Sequence, residues 1–333
     1  MLLAGGPTLA IVPPLMSRKD AANGALAYGP PEPILNPAYA TTLGRAFQAD
    51  ALAVLRLLPA DSVPLVVTSP PFALRRKKAY GNVAAKDYVD WLWPFAQEIH
   101  RVLRPDGSFV LELGGSWNQG SGTRSLYQYE VLLRFSRLFH LAQDFYWYNP
   151  SRLPTPAEWV TIRRTRVKDA VNLVFWLSKT ENPRADNRRV LRPYSPSMRR
   201  LLKNGYKAAR RPSQHAISEK FAKDNGGAIP PNLLTVPNTR SNDEYFVRCR
   251  AAGLPIHPAR FPAAVPEFFI RFLTEPGDLV LDPFAGSNVT GSVAEMLGRK
   301  WLSVEINPDY VAGSRLRFPH AEISSGRPDS LAG

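Results

Sequence analysis

The run Thr68-Ser69-Pro70-Pro71-Phe72 puts a hydroxyl, several carbonyls and an aromatic ring within five residues. Neither proline carries an N–H and each fixes its φ, while Ser69 is pushed towards an extended conformation by the proline after it. A rigid loop rich in outward-facing acceptors follows, and such a loop suits a planar ring that bears an amino group. A proline-stiffened turn with a packed Phe72 is the rival reading of this motif taken alone. A second run, Asp282-Pro283-Phe284-Ala285-Gly286-Ser287-Asn288, joins an apolar stretch to an amphipathic one. Open α/β sheets bind ligands at such strand ends, where helix N-termini leave N–H groups unpaired. Gly286 lets the backbone approach a cofactor closely, although strand-to-helix turns also use glycine for packing alone. Nineteen residues beyond Gly286, Glu305 ends the next apolar run, the position from which a carboxylate accepts hydrogen bonds from ribose hydroxyls. This spacing predicts an adenosine-type cofactor. The pyrophosphate fingerprint G-x-G-x-x-G does not occur here, which disfavours NAD and favours a cofactor without phosphates.

Both loops need elements to hold them, and the hydropathy pattern supplies these. Short apolar runs alternate with longer amphipathic ones: Val63 to Thr68 then Tyr88 to Leu103, and Ser108 to Leu113 then Leu126 to Leu141. Asp144 to Tyr148 and Asn172 to Ser178 follow with no helical pattern between them, and so predict an antiparallel hairpin at a sheet edge. Beyond residue 254, Pro262 to Leu273 predicts a helix, Asp278 to Asp282 a strand, Asn288 to Leu297 a helix ended by Gly298, and Trp301 to Ile306 a strand. The alternation is that of an α/β sheet wound on both faces. The expected plan is an N-terminal arm over 1–43, one half of the sheet domain over 44–183, an insertion over 184–253, the other half over 254–320, and a tail over 321–333.

Charge singles out one stretch. Of a net charge of +14, almost all lies between Arg163 and Lys223, with 17 Lys and Arg against four acidic residues, interleaved with Trp176, Tyr194, Tyr206 and Phe221. Such a stretch points to a polyanion, nucleic acid first, and gives the candidate contacts Arg163, Arg164, Arg166, Arg188, Arg189, Arg199, Arg200, Arg210 and Arg211. With 32 prolines in 333 residues, nearly double the ~5% average, an all-helical solenoid is disfavoured. The single cysteine, Cys249, excludes an internal disulfide and Cys-clustered metal sites and points to a reducing compartment, and no metal is expected. Residues 2–15 are broken by Pro7, Pro13 and Pro14 and lack a basic leader, so neither a signal peptide nor a membrane span is expected and the predicted location is the cytoplasm.

The two loops together resemble the motifs of amino-group DNA methyltransferases, whose catalytic loop is S-P-P-[FY] in the cytosine-N4 type and usually D-P-P-[YFW] in the adenine-N6 type. Asp282 to Gly286 resembles their S-adenosylmethionine motif, and Gly253 to Pro262 (GLPIHPARFP) the segment before it. The order of catalytic motif, basic insertion and cofactor motif is that of the β class, a circular permutation. The similarity runs from about Tyr39 to Leu316 and is greatest to the PvuII type of cytosine-N4 enzyme, through TSPPFALRRKKAYGN, DFYWYNPSRLPTPAEWV, RVKDAVNLVFWLSKT, KDNGGAIPPNLL and HPARFPAAVPEFFIR.

The resemblance implies a circularly permuted, Rossmann-like, S-adenosyl-L-methionine-dependent sheet with an inserted target-recognition region. It implies a flipped cytosine in double-stranded DNA as substrate, a monomer or weak dimer, and pairing with a cognate restriction endonuclease. Ser69 Oγ and the Pro70 carbonyl would accept the amino hydrogens, Pro71 would stiffen the loop and Phe72 would stack on the base. Glu112 stands where the family has a carboxylate near the base, with capping of the Gly114-Gly115 turn as its rival role. Asp282, Phe284, Gly286 and Ser287 would form the cofactor turn and Glu305 would hold the ribose. Asp50 would meet the adenine amino group, with helix N-capping as its rival. His257 is read as structural. Cytosine-C5 chemistry needs a thiolate that normally follows a proline, and Cys249 follows Arg248. Adenine-N6 methylation is the runner-up, RNA methylation ranks lower, and a catalytically silent DNA-binding protein is the alternative from another class. Arginine-rich recognition favours a G·C-rich site, with a six-base palindrome as the default.

Overall fold

The computed structural model describes residues 36–73, 83–205, 223–239, 243–259 and 261–323. In chain order these residues form β1 (Tyr39–Ala40), β2 (Gly44–Gln48), α1 (Ala51–Leu57), β3 (Val63–Thr68), α2 (Ala85–Val102), β4 (Leu103–Leu113), α3 (Tyr127–Phe135), β5 (His140–Tyr148) and β6 (Val171–Ser178). They continue with α4 (Pro196–Asn204), β7 (Leu233–Thr235), α5 (Glu244–Ala251), α6 (Ala264–Leu273), β8 (Leu279–Asp282), α7 (Val289–Met296), β9 (Lys300–Glu305), α8 (Pro308–Arg315) and β10 (Glu322–Ile323). The strands make one sheet in the order β10-β1-β2-β9-β8-β3-β4-β6-β5-β7. From β2 to β4 all neighbours are parallel, and β6 runs antiparallel to both β4 and β5.

Alternation within the central strands explains why the sheet is covered on both faces. All six residues of β3 are buried. Val63 and Val66 join a core formed with α1, α2 and α3, while Leu65 and Val67 point the other way into a core formed with α6, α7 and Trp301. The same split recurs in β4, where Phe109 and Leu111 face the first core and Val110 the second. A strand buried on both sides reads as a continuous apolar run, as β3 does.

The structure bears out the two-faced α/β sheet and changes several of its details. The helix expected over Leu126 to Leu141 ends at Phe135, and the chain enters β5 at His140; Phe139 kept the helical apolar spacing because it packs into the same core. The expected antiparallel pair is β5 and β6, but it does not end the sheet. Leu233–Thr235, inside the predicted insertion, pairs parallel with β5 and takes the edge. Tyr39–Ala40 and Glu322–Ile323, read as arm and tail, pair with each other, and Tyr39 is buried with its hydroxyl 2.7 Å from Ser314 Oγ. Among the described residues, no helix is long and apolar enough to cross a membrane, and no cluster of His, Cys, Asp or Glu could hold a metal ion.

Candidate active site

Because β2, β9, β8, β3 and β4 are parallel, their C-terminal ends lie on one edge, and every loop singled out by its chemistry starts there. A cavity of about 530 Å³ opens on that edge, within the size range of small-molecule sites. Ser69, Pro70, Pro71, Phe72 and Glu112 line it, and so do Asp50, Asp282, Phe284, Gly286, Ser287 and Glu305. The structure thus brings all eleven expected catalytic and cofactor residues to one cavity, although Ser69 and Asp282 are more than 200 positions apart.

The Ser69 side of the cavity is built around a buried carboxylate. Glu112, near the end of β4, is 1% exposed; its Oε2 accepts the Ser69 hydroxyl at 2.5 Å and its Oε1 accepts Asn172 Nδ2–H at 2.6 Å. Burial pushes the Glu112 carboxyl up to about 7, against the pull of those two bonds and of the Arg152 charge. Its partners are therefore Ser69 and Asn172, and the Gly114-Gly115 turn is held by another group, the Tyr127 hydroxyl, which donates to the Gly114 carbonyl. Gly114 has its own task, since a Cβ there would overlap the Phe72 ring. Phe72 thus lies against bare backbone while lining the cavity. The hydroxyl of Ser69 has one hydrogen and gives it to Glu112, so its lone pairs are left to accept from whatever enters the cavity.

On the Asp282 side of the cavity the turn after β8 is braced from beneath. Asp282 is 4% exposed and accepts three bonds: Thr68 Oγ1–H at 2.6 Å, Thr290 Oγ1–H at 2.7 Å and the Phe284 N–H at 3.1 Å. Burial raises its carboxyl to about 6. The Thr68 bond ties the residue before Ser69 directly to the start of the turn after β8. Phe284 packs on Trp91 and Phe95 of α2, with ring centroids 5.8 and 5.0 Å away. Gly286 has φ +51, a left-handed conformation that favours glycine, and a Cβ there would sit 3.0 Å from the His257 ring. Its N–H donates to Glu305 Oε2 at 2.9 Å, while Glu305 Oε1 accepts the Asn307 N–H at 2.8 Å. Burial raises the Glu305 pKa. Ser287 turns towards α8, with Arg317 Nε–H donating to its carbonyl at 2.6 Å.

The Asp50 carboxylate caps α1 through Ala53 N–H at 2.9 Å, and the residue also lines the cavity. His257 is buried, packs edge-on against Tyr310 at 4.4 Å, faces the Ala259 carbonyl through Nδ1 and also lines the cavity. Sequence reasoning missed Thr290, Asn149, Arg152 and Asn172 as parts of the site, and it gave Thr68 no link to Asp282. Arg152 and Asn172 do lie within the stretches that carry the family resemblance, but neither stands at a fixed spacing from Ser69 or Glu112.

The basic stretch does not form one face. Arg163, Arg164 and Arg166 are exposed in the loop between β5 and β6, at the cavity end of the sheet, with Arg163 stacked on Trp159 at 4.6 Å and paired with Glu158 at 2.7 Å. Arg188 and Arg189 follow β6 and lie at the opposite end. Arg188 pairs with Asp186, while Arg189 donates to the Thr274 carbonyl and pairs with Glu275 at 2.6 Å, next to the start of β8. The antiparallel run of β6 carries the chain that bears these two candidate DNA contacts away from the cavity. Arg199 and Arg200 are exposed on α4, and Arg210 and Arg211 lie outside the described residues.

Comparison with known proteins agrees with this arrangement. A DNA methylase family profile matches residues 63–315. The chain belongs to the DNA methylase family. It is 53% identical over 293 residues to the type II methyltransferase M.PvuII of Proteus hauseri, covering 86% of this chain and 87% of that protein. It is 29% identical over 269 residues to the DNA adenine methyltransferase YhdJ of Escherichia coli K12, covering 79% and 78%. The solved structure of the cytosine-N4-specific PvuII DNA methyltransferase superposes with a TM-score of 0.69 at 46% identity, over 89% of this chain and 90% of that one. A Thermus thermophilus protein solved with S-adenosyl-L-methionine shares the fold, with a TM-score of 0.53 at 22% identity over 83% and 93%.

Proposed function

We propose that this DNA methylase transfers a methyl group from S-adenosyl-L-methionine to the N4 amino group of a cytosine turned out of duplex DNA, as the type II modification enzyme of a restriction-modification pair. The observation that carries this reading is the bond from Ser69 to Glu112. It commits the only hydroxyl hydrogen of Ser69, so Ser69 Oγ meets an incoming amino group as an acceptor. An aromatic amino nitrogen is a poor nucleophile because its lone pair is delocalised into the ring. Acceptors at Ser69 Oγ and the Pro70 carbonyl, aimed at its two hydrogens, favour a tetrahedral nitrogen and orient its lone pair. Glu112, poised near 7, can take up the released proton by way of Ser69. Phe72 lines the same cavity and offers a face for the base to stack on. A base within a helix cannot reach a buried loop, so flipping is required.

The residues present fit the cofactor. Gly286 leaves room at the turn, Phe284, Trp91 and Phe95 give an apolar wall, and Glu305 and Asp50 place carboxylates at the ends of β9 and β2, suited to ribose hydroxyls and an adenine amino group. When bound, S-adenosyl-L-methionine supplies an electrophilic methyl on a sulfonium. Exposed Arg163, Arg164 and Arg166, in the loop at the cavity end of the sheet, supply positive charge for the phosphates of the duplex, and Arg199 and Arg200 are further contacts in this reading. Cys249 is fully buried on α5 against Tyr245 and Phe246, away from the cavity lining, and takes no part. The resemblance to the adenine enzyme keeps adenine-N6 transfer as the second reading. Digesting methylated DNA to nucleosides and weighing them decides between the two: N4-methylcytosine is expected, and N6-methyladenine would replace the first reading with the second.

A further inference from the structure

The buried Glu112 carboxylate is joined to the cavity rim by a chain of bonds that runs through Asn172. Arg152 Nη1–H donates to Asn172 Oδ1 at 2.7 Å, and Asn172 Nδ2–H donates to Glu112 Oε1 at 2.6 Å. Asn172 is 5% exposed, and its amide is held at both ends, so each end specifies the orientation of the other. Arg152 sits in the loop after β5, lines the cavity and has no ion-pair partner among the described residues. An unpaired arginine two hydrogen bonds from a buried carboxylate has an evident electrostatic counterpart.

We propose that Arg152, acting through Asn172, is a positioning residue that sets the ionisation of Glu112 and thereby holds Ser69 as an acceptor. The inference rests on the reading of Ser69 as the acceptor for the target amino group. The groups facing Glu112 come from every neighbouring element: Ser69 after β3, Asn172 on β6, Tyr88 on α2, Tyr127 on α3 and Arg152 beyond β5. Both phenols are kept neutral by burial. Arg124, near Tyr127, is spent on an ion pair with Asp169. Arg152 is thus the cation whose hydrogen bonds reach the carboxylate, and it lowers the proton affinity that burial raises. Without that charge Glu112 holds its proton to higher pH, and a protonated Glu112 no longer commits the Ser69 hydrogen.

The test is the pH dependence of single-turnover methyl transfer with DNA and S-adenosyl-L-methionine both saturating. Arg152→Met is expected to move the acid limb up by about one pH unit, a tenfold loss below the limb that is recovered above pH 9. Arg152→Lys keeps the charge and should restore most of the shift. Asn172→Leu should produce a similar shift, and the double variant no more than either alone, as for two members of one chain. The 13C shift of the Glu112 carboxyl, followed over the same range, reads its titration independently of turnover. Weighing the wild-type nucleoside product separates failure of the base assignment from failure of this proposal, because the limb is readable whichever amino group is methylated. An Arg152→Met variant that weakens DNA binding and flattens its salt dependence with an unmoved limb would make Arg152 a phosphate contact and overturn the proposal.

Discussion

The two ends of the sheet treat carboxylates in opposite ways. At the C-terminal ends of the parallel strands, Glu112, Asp282 and Glu305 are met by hydroxyls, an amide side chain and backbone N–H groups, and among the described residues none has an ion-pair partner. All three have raised pKa values, with burial the largest cause. At the N-terminal ends, Asp61 pairs with Lys179 at 2.6 Å, Asp278 with Arg184, and Glu275 with Arg189. Pairing neutralises charge and stabilises the charged form, whereas the hydrogen bonds of neutral donors orient these carboxylates and lower their proton affinity by less than burial raises it. One end holds its carboxylates in ion pairs and the other holds them in hydrogen bonds to neutral donors. Among the cations, Arg163, Arg164 and Arg166 are exposed in the loop after β5, whereas Lys179, Arg184, Arg188 and Arg189, after β6, pair with acidic residues.

The largest effect expected is at Glu112. Glu112→Gln should slow single-turnover transfer by about 10²- to 10⁴-fold, the range for losing a proton acceptor, with cofactor affinity unchanged. In the wild type the rate should fall below a pH of about 7, because protonation of Glu112 removes the acceptor for the Ser69 hydrogen; a rate that is flat from pH 5.5 to 8 would remove Glu112 from the chemistry. Ser69→Ala should cost roughly 10²- to 10³-fold in the same assay. Equal loss of cofactor binding in that variant would make the loop structural and blur the division between the two ends.

Glu305→Ala is expected to weaken S-adenosyl-L-methionine binding by about 1–3 kcal/mol, measured by calorimetry, since hydrogen bonds to a charged acceptor are lost. Undiminished affinity would displace the ribose from that strand end. Arg184→Met, at the other end, should lower stability by about 1–3 kcal/mol by leaving the Asp278 charge partly buried without its partner, while transfer per folded molecule is unaltered. The smallest effect is in the salt dependence of DNA binding. Replacing Arg163, Arg164 and Arg166 together by Glu should flatten the log–log slope by about 0.9 for each phosphate that is no longer neutralised. Charge reversal at Arg188 should leave the slope as it was, and an equal change in both sets would erase the distinction between the ends.

Much of this protein is legible in its sequence because much of its chemistry is local. The prolines after Ser69 stiffen their own loop, Gly286 permits its own turn, and the alternation of Leu65, Val66 and Val67 between two cores is a property of consecutive residues. Strand and helix order, the two motif loops and the carboxylate at the end of the strand after Gly286 all follow from such short-range rules. Tertiary structure decided which of these pieces are neighbours. That β3 lies between β8 and β4 is a matter of pairing between distant segments, and only this pairing lets Thr68 reach Asp282 and Ser69 reach Glu112. Asn172 and Arg152 enter the site because β6 runs antiparallel to β4 and starts at the cavity edge, a direction that no spacing encodes. The same reversal carries Arg188 and Arg189 to the far end of the sheet. Composition sums the charge of a segment, but strand direction determines which end of the sheet receives it.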